Sequence, residues 1–183
     1  IGVTGTLAAN RIAKEADTVL AIGSRLSDFT TGSKWLFREE GVQVLTINNN
    51  RYHAYKMDAI KAVGDAKATL EELAKALREK NYRSAYKGEI ESCKAEWDKE
   101  YNRLAEYAYK EEGFEPLVPE RDPRTIPEFV EKTQGYLTQT AAIAALRRKM
   151  PADGIVITAG GSLPSCMQRL WTTDSRYAYH AEY

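Results

Sequence analysis

The chain has 183 residues, 43% hydrophobic and 28% charged, which is enough apolar material for a packed core and argues against wholesale disorder. Lys and Arg number 26 and Asp and Glu number 26, so the net charge is zero, which argues against nucleic acid or an anionic membrane as main partner, since each selects a basic surface. No apolar run approaches the roughly 20 residues of a membrane span, and Cys93 and Cys166 have no metal-ligand spacing, so a reduced, cytoplasmic protein is the expectation.

Residues 5–17 read as a helix, with Thr6 as N-cap and Ala8, Ile12 and Ala16 at one-turn spacing. Thr18-Val19-Leu20-Ala21-Ile22 is a short, β-branched apolar run ended by Gly23, the pattern of a buried strand, and residues 42–47 repeat it. The stretch from Asn48 to Gly64-Asp65 reads as irregular; after it, Leu70, Leu73, Ala74 and Leu77 mark an amphipathic helix. Alternation of helices with buried strands predicts an α/β layer with a parallel sheet. Two strands make only part of one, so residues 1–81 read as the later part of such a domain.

From 82 to 112 one apolar stripe, Ile90, Cys93, Trp97, Tyr101, Leu104 and Ala108, predicts a long and mostly exposed helix. Residues 113–127 hold Pro116, Pro119, Pro123 and Pro127 and read as an extended linker. The segment 82–135 therefore connects two α/β pieces. In the second, 136–183, an Ala-rich helix at 138–149 precedes a third strand at 155–158. A glycine turn at 159–164 and a helix from Ser165 to Trp171 follow. The chain opens inside a loop-to-helix transition and stops without a closing element, so it reads as an internal piece of a longer protein.

The turn Ala159-Gly160-Gly161-Ser162 is the most informative local feature. Ligands of open α/β sheets bind at the carboxyl ends of strands, and a helix N-terminus offers free N–H groups to phosphate oxygens. Its spacing matches neither the dinucleotide fingerprint nor the phosphate-loop signature, and taken alone a plain tight turn is the simpler reading. Gly2-x-x-Gly5-Thr6 suits a helix cap better than a phosphate site. Arg25, Ser27 and Asp28 occupy a loop after the first strand, where capping and solvation account for them. His53 and His180 lack neighbours at metal-ligand spacing. Cys166 opens a helix without a visible His partner and reads as structural. Trp35, Trp97 and Trp171 read as packing residues.

Two longer stretches carry a resemblance. Gly5-Thr6-Leu7-Ala8-Ala9-Asn10 with residues 15–32 (Glu15-Ala16-Asp17 through Gly23-Ser24-Arg25-Leu26-Ser27-Asp28-Phe29) and Gly64-Asp65-Ala66 resembles the central domain of thiamine-diphosphate enzymes of the acetolactate-synthase type. Tyr136-Leu137-Thr138-Gln139-Thr140, the run Thr158-Ala159-Gly160-Gly161-Ser162-Leu163-Pro164, Gln168-Arg169-Leu170-Trp171 and His180-Ala181-Glu182-Tyr183 are similar to the opening of the diphosphate-binding domain. Their wording is most like the branch that hydrolyses a carbon–carbon bond of a cyclic polyol diketone in inositol catabolism. A lyase of the acetolactate-synthase kind, a decarboxylase of a 2-oxo acid or semialdehyde, and a non-catalytic nucleotide-binding or structural domain remain the alternatives.

The resemblance implies thiamine diphosphate and Mg²⁺ as cofactors and assigns the cofactor's phosphates to Gly160, Gly161, Ser162 and Leu163. It places the activating Glu before Ile1 and the metal-binding segment beyond Tyr183, so this stretch contributes no catalytic residue and no metal ligand. It further implies a homodimer or homotetramer. Relatives that bind FAD carry Arg-Phe-Asp-Asp-Arg where this chain has Arg25-Leu26-Ser27-Asp28-Phe29, so FAD is not expected.

Overall fold

The computed structural model describes residues 1–38, 40–108, 128, 131–132, 138–173 and 175–181. The chain divides into two compact units, Ile1–Trp97 and Asp98–Tyr183, each considered by itself. The linker expected at 113–127 lies outside the described residues. Among the described residues, no helix is long and apolar enough to cross a membrane.

The first unit is built on a parallel sheet of β1 (Thr18–Ile22), β2 (Gln43–Asn48) and β3 (Ile60–Val63), in that spatial order. Leu20 pairs with Leu45 and Leu45 with Ile60, so each step across the sheet keeps apolar residues in one row. The central strand is the most buried: Val44, Thr46, Ile47 and Asn48 are all inaccessible, whereas Leu20 and Ile60 on the flanking strands are 41% and 63% exposed. The core joins Ala21, Leu26, Val44 and Ala59, with Val19, Val42 and Met57 packed against it. Helix α1 (Leu7–Lys14) precedes β1, and α2 (Asp28–Thr31) and α3 (Arg51–Ala54) are single turns in the two crossovers. The Thr46 hydroxyl donates to the Ala54 carbonyl at 2.7 Å, which satisfies a buried polar group and fastens α3 onto the central strand.

Strand β3 lies in the stretch expected to be irregular. Ile60-Lys61-Ala62-Val63 is only four residues long and carries a lysine, so it lacks the run of apolar side chains that marks β1 and β2. Helix α4 (Ala66–Glu79) starts at Asp65, whose carboxylate accepts from the Ala68 N–H at 2.9 Å. Helix α5 (Lys87–Glu106) follows. Near its start the Tyr86 hydroxyl donates to the Ile12 carbonyl at 3.0 Å; burial, then the nearby Glu15 and Glu89, hold that phenol in its neutral form by raising its pKa. Arg11 binds both Glu15 and Glu96, tying α1 to α5.

In the second unit, α6 (Gln139–Lys149) is capped by Thr138, whose Oγ1 accepts from the Ala141 N–H and itself donates to the Tyr107 carbonyl at 2.7 Å. It buries Ala141, Ile143 and Ala144. Strand β4 (Val156–Thr158), helix α7 (Ser162–Leu170) and strand β5 (Tyr179–Ala181) form one β-α-β crossover with the two strands parallel. Helix α7 packs on α6, and its buried residues are Met167 and Leu170. It begins at Ser162, three residues earlier than expected, because Pro164 sits in the first turn, where its missing N–H costs no helical bond. Strand β5 is one the sequence pattern does not announce: three residues of mixed polarity, Tyr179-His180-Ala181, give no period to read.

Candidate functional site

The turn after β4 and the first two residues of α7 hold the four residues singled out by sequence, which are consecutive in the chain. Strand β4 ends at Thr158, Ala159 and Gly160 form the turn, Gly161 stands at the N-cap position, and Ser162 and Leu163 open the helix. All four are exposed at the carboxyl end of a parallel strand, the position at which open α/β sheets take ligands.

Three features distinguish this turn from an ordinary one. First, α7 has no side-chain cap at its start, unlike α1, α4 and α6, which are capped by Thr6, Asp65 and Thr138. A helix leaves its first N–H groups without intrahelical partners. Here Pro164 has none to offer and Ser165 already donates to the Gly161 carbonyl at 3.2 Å, so the helix presents the N–H groups of Ser162 and Leu163. Second, Gly161 has φ +135°, a conformation that L side chains rarely adopt, and a Cβ there would meet only Pro164 Cδ at 3.8 Å. Third, Gly160 has ordinary backbone geometry, and a Cβ built on it would have nothing within 4 Å. Nothing within the described chain demands glycine at 160.

The entry and exit of the turn are fastened by hydroxyl groups that sequence reasoning did not single out. Thr158 Oγ1 lies 3.4 Å from the His180 carbonyl and 3.3 Å from Tyr179 Oη. Ser165 Oγ donates to the Gly161 carbonyl at 2.9 Å. His180 Nε2 donates to the Tyr177 carbonyl at 2.7 Å, which ties that ring to the backbone just before β5. The signal for these anchors is tertiary, since Thr158 meets residues on β5 about twenty positions away.

The other candidates have local roles. Gly2 is wedged against α2: its N–H donates to Asn10 Oδ1 at 2.8 Å, Asn10 Nδ2 donates back to its carbonyl at 2.9 Å, and a Cβ there would lie 1.9 Å from the Phe29 carbonyl oxygen. Thr6 caps α1. Ser27 caps α2, Asp28 occupies that helix's first turn, and the Arg25 carbonyl accepts from Lys56 Nζ at 2.9 Å. His53 lies edge-on to Tyr52 with ring centroids 5.3 Å apart. Cys93 is buried and Cys166 half-buried, both as thiols. Trp35 departs from the expected packing role: it is 52% exposed, with the Lys14 ammonium 4.6 Å above its ring. Among the described residues, no three His, Cys, Asp or Glu side chains group as a metal site would require.

Residues 1–73 match the family model described as thiamine pyrophosphate enzyme, central domain. The whole chain is 48% identical to a 3D-(3,5/4)-trihydroxycyclohexane-1,2-dione hydrolase of Clostridium botulinum and 48% identical to one of Clostridium perfringens. It is 45% identical to another, of Geobacillus thermodenitrificans. In each case the match covers all 183 residues of this chain and 28% of the relative.

Proposed function

We propose that the chain belongs to the thiamine pyrophosphate enzyme family, whose central-domain model its residues 1–73 match, and that it is a segment of a hydrolase that opens a carbon–carbon bond of trihydroxycyclohexane-1,2-dione. What supports the substrate is the name shared by relatives 43–48% identical over its full length. On this reading residues 1–81 form the later part of the central domain, 82–135 connect, and 136–183 open the diphosphate-binding domain. The parent acts on a small-molecule substrate in the cytoplasm as a homodimer or homotetramer. It needs Mg²⁺ as well as thiamine diphosphate, with the metal ligands and activating Glu supplied from outside this segment.

The observation that carries the site assignment is the open space at Gly160 beside an uncapped helix. The residues fit a diphosphate. Among the described residues the N–H groups of Ser162 and Leu163 have no partner, the helix dipole adds positive potential at the same point, and two glycines let phosphate oxygens approach the backbone. The Ser162 hydroxyl adds a further donor. When bound, thiamine diphosphate supplies the electron sink that carbon–carbon cleavage requires. The part of this chain is to hold its anionic end, and so to fix the position of the reactive ring.

Calorimetry of thiamine diphosphate, with Mg²⁺, on the full-length parent tests this. Gly161→Val should weaken cofactor binding about 10- to 100-fold for each charge-assisted hydrogen bond lost, one or two in all. Because φ at Gly161 is +135°, that variant also lowers stability by roughly 1–3 kcal/mol, so Gly160→Ala, which meets no atom of the chain, is the cleaner probe. Unchanged affinity in a folded Gly160→Ala protein would sink the site assignment and leave the family untouched.

A further inference from the structure

We propose that Tyr179 is a positioning residue for the diphosphate turn, acting through Thr158; the inference rests on the reading of that turn given above. Thr158 is the last residue of β4 and the point from which the turn departs. Its Oγ1 is 3.4 Å from the His180 carbonyl and 3.3 Å from Tyr179 Oη. A carbonyl only accepts and a threonine hydroxyl has a single proton. The direction of the relay follows: Tyr179 donates to Thr158, and Thr158 donates to His180.

The strand register explains why a tyrosine performs this role. Tyr179 pairs with Val156, two residues before Thr158, so its long side chain runs along β4 to reach the end of the strand. Both strands have only three residues, so their ladder alone gives the turn a short foundation. The relay fixes the entry of the turn, and Ser165, by donating from both its N–H and its hydroxyl to the Gly161 carbonyl, fixes the exit. Between these anchors Gly160 is unconstrained by side-chain packing. Freedom lost on binding lowers affinity, and the anchors restrict that freedom beforehand.

The test uses the full-length parent, thiamine diphosphate with Mg²⁺ as the calorimetric probe, and a thermal midpoint for each variant. Tyr179→Phe should bind the cofactor about 2- to 10-fold more weakly, the equivalent of one neutral hydrogen bond, with little change in midpoint. Thr158→Val, which removes both links of the relay, should weaken binding at least as much, and Thr158→Ser, which keeps the hydroxyl, should restore it. If Tyr179→Phe does not fold, the contrast between Thr158→Val and Thr158→Ser decides the matter. A lower midpoint with unaltered affinity would assign the relay to strand pairing alone and overturn the proposal. So would wild-type affinity in Tyr179→Phe and Thr158→Val when Gly160→Ala binds weakly. Wild-type affinity in Gly160→Ala as well would instead remove the site on which the proposal stands.

Discussion

Two glycine turns in this chain look alike as sequence and differ in what fills them. Gly2-x-x-Gly5-Thr6 leads into α1, and Gly160-Gly161 leads into α7. At the first, the protein occupies the space itself: a Cβ on Gly2 would collide with the Phe29 carbonyl, and one on Gly5 would lie 2.6 Å from Asn10 Oδ1. The helix that follows is capped by Thr6. At the second, the space beside Gly160 is empty and the helix has no side-chain cap. A glycine enforced by the chain's own atoms serves the fold. One that the described chain leaves open, beside the start of an uncapped helix, is the one for which we propose a ligand-binding role. Burial and capping separate the two, whereas the residue type does not.

Four substitutions probe the contrast, from the largest expected effect on stability to the smallest. Gly2→Ala should destabilise most, by roughly 3 kcal/mol or more, since the 1.9 Å approach forces the backbone of α2 to move and φ at Gly2 is +90°. Urea unfolding with an unchanged midpoint would break the contrast at its first member. Asn10→Ala should cost about 2 kcal/mol, because its amide makes both links to Gly2; the same titration checks it. Thr6→Ala should cost about 1 kcal/mol through the lost cap, visible as a lower helical signal at a given denaturant concentration. Gly160→Ala should leave stability within about 0.5 kcal/mol, or raise it slightly by restricting the unfolded chain. A large loss of stability there would show that the second turn, like the first, is closed by the fold.

The parts of this architecture that sequence displays are those decided by neighbours in the chain. Strands β1 and β2 are β-branched apolar runs, and both form where the sequence predicts them, but burial follows position in the sheet: central β2 is buried, whereas in flanking β1 only Ala21 is. Thr6, Ser27 and Asp65 are capping residues at helix starts, and each caps. Strand β3 escaped notice because a flanking strand needs few apolar residues; Lys61 folds its ammonium over the Tyr55 ring at 4.4 Å instead of breaking the strand. Helix α7 starts three residues before the Ser165 that the sequence predicts, because the glycine turn is shorter than 159–164 and Pro164 sits in the first helical turn, where it breaks nothing. At the candidate site, the glycines were legible and the relay from Tyr179 was not. Its existence depends on the register between β4 and β5, which no local pattern specifies.

The sheet of the first unit has a bearing on how this chain behaves at the bench. Strands β1 and β3 flank β2 with no further strand beside them among the described residues, and Leu20, Ile22 and Ile60 along them are 41%, 43% and 63% exposed. Unpaired backbone groups beside apolar side chains are a template on which another extended chain can add. With equal numbers of positive and negative side chains, there is little electrostatic repulsion to hold copies apart. Expressed by itself at micromolar concentration, the first unit is therefore expected to self-associate along these two edges, which size-exclusion chromatography over a concentration series would show.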